Sequence, residues 1–222
     1  AVLEAIGRMV VKEVETPECT KENILLKVEA AAICRNDIRV FMTGSKLIKR
    51  LPQIIGHEIA GTVIRVGSDI KDVREGDRLA IVPSNPCGEC KICKRGLPPD
   101  LCPNRRPIGF VYPGGFAEYI LIPPSAVRVG AYVKIPDGID FREAVIAEPL
   151  GCVIHGQDML DVHPGDTLAV IGAGPIGCMH LEVAKSRGVK KRILLQRSEN
   201  RIKLAKELQL ADVYINTTTE NP

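Results

Sequence analysis

The sequence predicts two architectures in one chain: a mainly-β region over residues 1–150, then the first half of a doubly wound α/β domain over 151–222. Three observations point there. Short strand-like runs broken by Gly and Pro fill the first part. A Gly-x-Gly-x-x-Gly turn sits between an apolar strand and a helical pattern at 172–177. The order strand, helix, strand, helix, strand follows from residue 167.

In the first region the strand candidates are MVVKEVE (9–15), NILLKVEAAAI (23–33), GTVIRVG (61–67), DRLAIV (77–82) and FAEYILI (116–122). The stretch AVIAEPLGCVIHGQDML (144–160) reads as a helix joining the two parts. In the second region the strands are Thr167–Ile171, Arg192–Gln196 and Val213–Asn216. The helices between them are Pro175–Arg187 and Glu199–Leu208.

Composition narrows the classes. The chain has 222 residues, 45% hydrophobic and 26% charged, as an ordinary globular protein does. A net charge of +3, no Trp and 4% aromatic residues leave little to hold or stack nucleic acid, so no such partner is expected. No apolar run approaches the roughly 18 residues of a membrane span, and the start AVLEAIGRMVVKEVE lacks a signal-peptide layout. A cytoplasmic protein without a membrane partner is the expectation. There, eight cysteines are more often thiols or metal ligands than disulfides.

Four of the eight lie in CGECKICKRGLPPDLC. Cys87, Cys90 and Cys93 are separated by two residues each, and Cys102 follows after a gap of eight. Short Cys-x-x-Cys turns bring sulfurs to one centre, and tetrahedral zinc requires four thiolates at about 2.3 Å. Bacterial iron–sulfur runs close with a gap of three instead. Gly88, Gly96, Pro98, Pro99 and Pro103 mark a loop with no core of its own, so a structural zinc is expected there.

A second set is dispersed: Cys34 in AAICRNDIRVF, His57 and Glu58 in IIGHEIAGTVIRVGSDI, and Glu148 in AVIAEPLGCVIHG. A thiolate, an imidazole and a carboxylate from separate segments fit a catalytic zinc with one open position. Taken alone, Cys34 also reads as a small buried hydrophobe and a single His as a packed core residue.

GHEIAGTVIRVGSDI resembles the signature of the zinc-containing medium-chain alcohol dehydrogenases, at Gly56, His57, Glu58, Gly61, Gly67 and Ile70, and the four-cysteine lobe sits where that family carries its structural zinc. The likeness extends along essentially the whole chain. It implies a partly open β-barrel related to the chaperonin GroES fold, with the active site in the cleft beside the connecting helix. It further implies a catalytic zinc on Cys34, His57 and Glu148, with Glu58 a near or exchangeable ligand and Asp37 orienting the histidine. That makes two zincs per chain, a small-molecule alcohol substrate and, by analogy, a homo-oligomer. Glu148 in EPL resembles the polyol (sorbitol-like) dehydrogenases. Two positions depart from the family: Asn36 replaces a Ser or Thr that relays protons, and Arg39 replaces a frequent His. Proton release would then pass through Glu58, water or substrate hydroxyls.

In IGAGPIG, Gly172 permits the tight turn, Gly174 the approach of a pyrophosphate, and Gly177 close helix–strand packing. Pro175 and Ile176 open the helix whose N-terminus faces the phosphates. The second strand should end in an acid that holds the ribose. It ends in Gln196, followed by Arg197, which favours NADP over NAD. Cys19, Cys152 and Cys178 read as core or surface thiols. His155 reads as a packed helix residue more readily than a substrate contact, and His163 and His180 carry no functional argument.

Only one mononucleotide-binding half is present, so the sequence is expected to be a piece of a longer dehydrogenase. The leading expectation is hydride transfer between a secondary alcohol, polyol or sugar-like, and NAD(P). A catalytically silent, zinc-stapled nucleotide-binding protein is the alternative. A zinc-independent reductase of the same superfamily ranks last, because such relatives generally lack the Cys34–His57–Glu148 set.

Overall fold

A computed structural model describes residues 1–220. The chain divides into two compact units, residues 1–148 and 149–222. In the first, β1 (Val2–Ala5) and β2 (Arg8–Val10) form a hairpin. The strand expected over residues 9–15 therefore stops at Val10. Residues 11–20 carry no regular structure, and Val11 and Val14 are exposed.

Then come β3 (Ile24–Ala32), α1 (Arg35–Thr43), β4 (Glu58–Val66), β5 (Arg78–Ile81), the single turn α2 (Lys91–Lys94), β6 (Tyr119–Ile122), α3 (Pro124–Arg128), β7 (Tyr132–Lys134) and α4 (Phe141–Ala144). The five strands β3 to β7 make one antiparallel sheet in the order β6-β3-β4-β5-β7. Its core follows from register. Ile24 lies opposite both Ile122 and Val66, and Leu26 opposite both Ile120 and Val63. Ile24, Leu26, Val63, Ile120 and Ile122 are all buried, and each such side chain contributes about 1.5–3 kcal/mol on leaving water.

Register shifts after Leu25 and after Val28 interrupt the β3–β4 ladder. Irregularities of this kind bend a strand and increase its twist. Gly61 sits opposite the second of them, where any Cβ would overlap the carbonyl oxygen of Lys27. The ladder nevertheless recovers and ends on the pair Ala32–Glu58. That last pair sets the site described below.

Where one connecting helix was expected over 144–160, the chain breaks after α4 and restarts as α5 (Ala147–Met159). Pro149 falls in the first turn of α5, where a missing N–H is harmless. The second unit continues with β8 (Thr167–Ile171), α6 (Pro175–Ser186), β9 (Lys191–Gln196), α7 (Glu199–Glu207) and β10 (Val213–Asn216). Its three strands are parallel in the order β10-β9-β8, as a doubly wound half requires. Leu181, Leu194, Ala205, Leu210 and Ala211 form its core. Among the described residues no helix is long and apolar enough to cross a membrane.

Candidate active site

Because β3 and β4 end paired at Ala32 and Glu58, the residues just beyond the two strand ends meet. Cys34, two residues past β3, is the N-cap of α1. His57 immediately precedes Glu58. Ligand atoms of Cys34, His57 and Glu58 all lie within 4.8 Å of one another. His57 and Glu58 are buried and Cys34 is partly so.

Asp37 ties this set together. It is buried at the third position of α1. Its Oδ2 accepts the backbone N–H of Cys34 at 2.9 Å, and its Oδ1 lies 3.1 Å from Nδ1 of His57. A carboxylate can only accept, so Nδ1 carries the proton and Nε2 is left as a metal-binding nitrogen. The other side of the imidazole packs on Phe110, with ring centroids 5.6 Å apart. Phe110 escaped the sequence reading; the run of glycines around it (Gly109, Gly114, Gly115) was the available signal. Added Cβ atoms at Gly109 and Gly114 would strike the carbonyl oxygen of Gly56. The loop bearing Phe110 therefore lies backbone against backbone beside His57.

Glu148, at the start of α5, stands outside the 4.8 Å set, but its charge is felt at His57. Burial disfavours a charged His57. The hydrogen bond and charge of Asp37, with the charges of Glu148 and Glu58, outweigh that and raise its pKa. Burial pushes the Cys34 thiol up against an opposing backbone contact at Asn36, and the charges of Glu58 and Asp37 push the same way. Glu148 is raised by burial, drawn back by His57 and raised again by Glu58. Several groups that would be anionic thus compete for one buried imidazole. A divalent cation resolves that competition, so the donor set fits a metal ion.

The four cysteines of the lobe are brought together as the spacing demands. Cys90 caps α2, and Cys102 closes a single 3-10 turn, Pro99–Leu101. Their Sγ–Sγ distances are 3.5 Å (Cys90–Cys93), 3.6 Å (Cys87–Cys102), 3.8 Å (Cys90–Cys102) and 3.9 Å (Cys87–Cys93). Bonds of about 2.3 Å to a tetrahedral centre require edges of about 3.8 Å, whereas a disulfide requires about 2.05 Å. Backbone N–H groups of Glu89 and Cys90 bring Cys87 down to about 6. Burial and the neighbouring sulfurs push Cys93 up to about 12. The lobe has the dimensions of an S4 zinc site.

In the second unit, Gly172 adopts φ +101°, a conformation open to glycine, directly after β8. Gly174 caps α6, with Pro175 and Ile176 in its first turn. A Cβ on Gly172 or Gly174 would meet nothing within 4 Å, whereas one on Gly177 would overlap the carbonyl oxygen of Gly172. The turn thus leaves open space above the helix N-terminus and packs tightly beneath it, which fits a phosphate-bearing ligand. Gln196 is buried at the end of β9. Its Oε1 accepts the N–H groups of Arg197 at 2.8 Å and Ser198 at 3.1 Å. The amide oxygen is thereby spent locally and the NH2 remains as a donor. Arg197 is exposed beside it. His155 is exposed on α5 and not packed as expected, while His180 lies against Gln157.

Residues 20–137 match the alcohol dehydrogenase GroES-like domain family. The chain belongs to that family. Within the zinc-containing medium-chain alcohol dehydrogenases, the chain is 32% identical over 219 residues to sorbitol dehydrogenase of Bombyx mori, covering 97% of this chain and 61% of the relative. Identity to L-threonine 3-dehydrogenase of Bacillus subtilis is 36% over 216 residues, 96% of this chain and 60% of that one. A solved zinc-binding dehydrogenase from Sinorhizobium meliloti bound to NADP superposes with a TM-score of 0.89 at 33% identity, covering 99% of this chain and 62% of the other. The chain thus spans about 60% of the length of the dehydrogenases it matches.

Proposed function

We propose that this alcohol dehydrogenase chain carries the zinc centre and the adenosine-binding half of an oxidoreductase that passes hydride between a secondary alcohol, polyol or sugar-like, and NADP or NAD. The carrying observation is the Asp37 carboxylate, which fixes Cys34 with one oxygen and His57 with the other, with Glu58 in the same 4.8 Å set. Cys34, His57 and Glu58 or Glu148 would hold a zinc ion that polarises the alcohol oxygen and lowers its pKa. Cys87, Cys90, Cys93 and Cys102 would hold the second, structural ion.

The protein's own groups define the rest. Asn36 Oδ1 is taken by Nε and Nη2 of Arg39, at 3.1 and 2.6 Å, so Asn36 offers its NH2 to a substrate oxygen but accepts no proton. With Glu148 on the ion, buried Glu58 is available to take one, beside water and the substrate's own hydroxyls. The open turn at Gly172–Gly174 would seat the pyrophosphate. The donor face of Gln196 and exposed Arg197 favour a 2′-phosphate over a free ribose hydroxyl, and hence NADP.

Elemental analysis of the reduced protein is the test. Two zincs per chain, falling to one in Cys34→Ser, are expected; a single zinc unaffected by that substitution retires the reading. The occupied Asn36 oxygen also favours a second reading, a silent nucleotide binder. That reading requires cofactor binding without any alcohol-dependent reduction of it.

A further inference from the structure

The helix that leads into the second unit is docked there by a narrow stripe. Of the residues of α5, only Pro149, Val153 and Gln157 are buried, one every four residues on a single face. Cys152, Ile154, His155, Asp158 and Met159 are all exposed. The last member of the stripe is polar. Gln157 is fully buried; its Nε2 donates to the backbone carbonyl of His180 on α6 at 2.7 Å and lies 3.3 Å from Nδ1 of the same residue. The His180 ring also covers Gly156, where a Cβ would come within 3.5 Å of Cε1.

These contacts fix protonation as well as position. A carbonyl oxygen only accepts, so the Gln157 atom facing it is the nitrogen, and the amide cannot turn over without setting oxygen against oxygen. Nδ1 of His180 faces the same NH2 group and must accept, which leaves the ring proton on Nε2. Gln157 Oε1 has no hydrogen-bond partner among the described residues. An apolar side chain would fill this place without an unpaired buried oxygen, so what the amide adds is its donation to His180. A proton on Nδ1 would turn that acceptor into a donor facing N–H groups. The fold supplies no counter-charge for it. β8 bears no titratable side chain, Arg192 of β9 is paired with Asp212, and Asp158 of α5 is paired with Arg187 of α6 at 2.5 Å. The other charged or titratable groups on these helices and on β9, His155, Glu182, Lys185 and Lys191, are exposed. Burial alone lowers the His180 pKa.

We infer that this contact is an acid-sensitive joint: Gln157 and neutral His180 dock α5 on α6, and a proton on His180 Nδ1 undocks it. The proton has a route, because His180 is only partly buried. The docked form disfavours that proton, so its pKa lies below the ordinary value of about 6.5. Docking is therefore strongest above about pH 6.5, weakens as pH falls from there to the docked pKa, and levels off below it. The helix concerned is the one that carries the phosphate turn, since Gly174 caps α6 ahead of His180. The joint holds or fails independently of the redox reading.

The test is hydrogen exchange of the 222-residue chain, purified under reducing conditions and read by mass spectrometry from about pH 7.5 to about pH 5.5, with rates corrected for intrinsic chemistry. Amides of residues 150–160 should lose protection about three- to tenfold across that range, while those of β8 and β9 keep theirs. His180→Asn sets an uncharged acceptor where Nδ1 stands, so it should keep protection at neutral pH and abolish the acid step. Gln157→Met, similar in volume but without donors, should lower protection at neutral pH and flatten the profile. Asp158→Asn removes the neighbouring ion pair and should leave the step in place. Nitrogen-15 spectra at neutral pH should show His180 as the Nε2–H tautomer. A flat wild-type profile overturns the proposal, and so does the Nδ1–H tautomer. An acid step that survives His180→Asn, vanishes in Asp158→Asn or spreads equally into β9 overturns it as well.

Discussion

Asp37 Oδ1 sits 3.1 Å from His57 Nδ1 while its second oxygen holds the Cys34 N–H at 2.9 Å, so one buried carboxylate aims two ligands from different segments. Asp37→Asn keeps the shape but loses the charge and can present its NH2 to one partner. The second zinc should then bind about 10- to 100-fold more weakly. Titration with a chromophoric chelator should show one weakened site and one unchanged. Equal retention of both metals would detach Asp37 from the centre.

Removing metal from the four-cysteine lobe should act on structure. The lobe has only a single helical turn and a 3-10 turn, and a metal that replaces a core supplies folding energy directly. Cys93→Ser, or chelation under reducing conditions, should open residues 87–102 to trypsin at Lys91, Lys94 or Arg95. Limited proteolysis with mass mapping should place the first cuts there; first cuts in the second unit would show that the lobe stands without its metal.

Two glycines of the phosphate turn should behave oppositely. Gly177→Ala drives a methyl into the Gly172 carbonyl oxygen, backbone that cannot swing aside, and should destabilise the protein by about 1–3 kcal/mol. Gly174→Ala has an ordinary φ of −87° and open space around it. It should leave the melting temperature within a degree or two while weakening dinucleotide binding, as read by calorimetry.

Cofactor choice should turn on Gln196. Gln196→Glu can keep the bonds to the Arg197 and Ser198 N–H groups while replacing the amide donor by a carboxylate oxygen. NADP affinity should fall and NAD affinity rise, about tenfold or more in ratio. Arg197→Ala should lower NADP affinity alone. An unchanged ratio in both variants would move the 2′-phosphate site elsewhere.

Acid should expose the Arg192–Asp212 pair. Asp212 accepts from the backbone N–H and from Nη2 of Arg192, at 2.7 and 2.9 Å, and these bonds, followed by the guanidinium charge, lower its pKa. A folded pKa below the unfolded value of about 3.9 stabilises at neutral pH. That contribution disappears as pH falls through the folded value. Asp212→Asn should lower stability at pH 7 by about 1–2 kcal/mol, less than for a fully buried pair because Asp212 is 43% exposed. Denaturant melts from pH 7 down to pH 3 should converge for the two proteins at the acid end.

The four-thiol lobe and the phosphate turn are legible in sequence because each draws its parts from one short segment, where spacing fixes geometry. The second centre is different. Cys34 and His57 meet only because β3 and β4 resume register after two irregularities and end on Ala32–Glu58, and hydrophobic alternation does not encode irregularities. Helix α1 was also hidden, since its N-cap is a cysteine, an uncommon cap, and only Asp37 at the third position signals a start. The first β-hairpin extends no further than Val10 because the valines that follow have no partner strand. Arg39 read as a lost histidine in sequence, and only the folded helix shows it holding the side-chain oxygen of Asn36.

The loop that leaves Cys102 returns to the protein by bonding to Asn85 and Pro83, then delivers Phe110 to the ring of His57 and lays Gly114 over Gly56. The wall of the buried centre is therefore the tail of the cysteine lobe. Whatever loosens that segment at its cysteine end loosens the backing of the imidazole at the other.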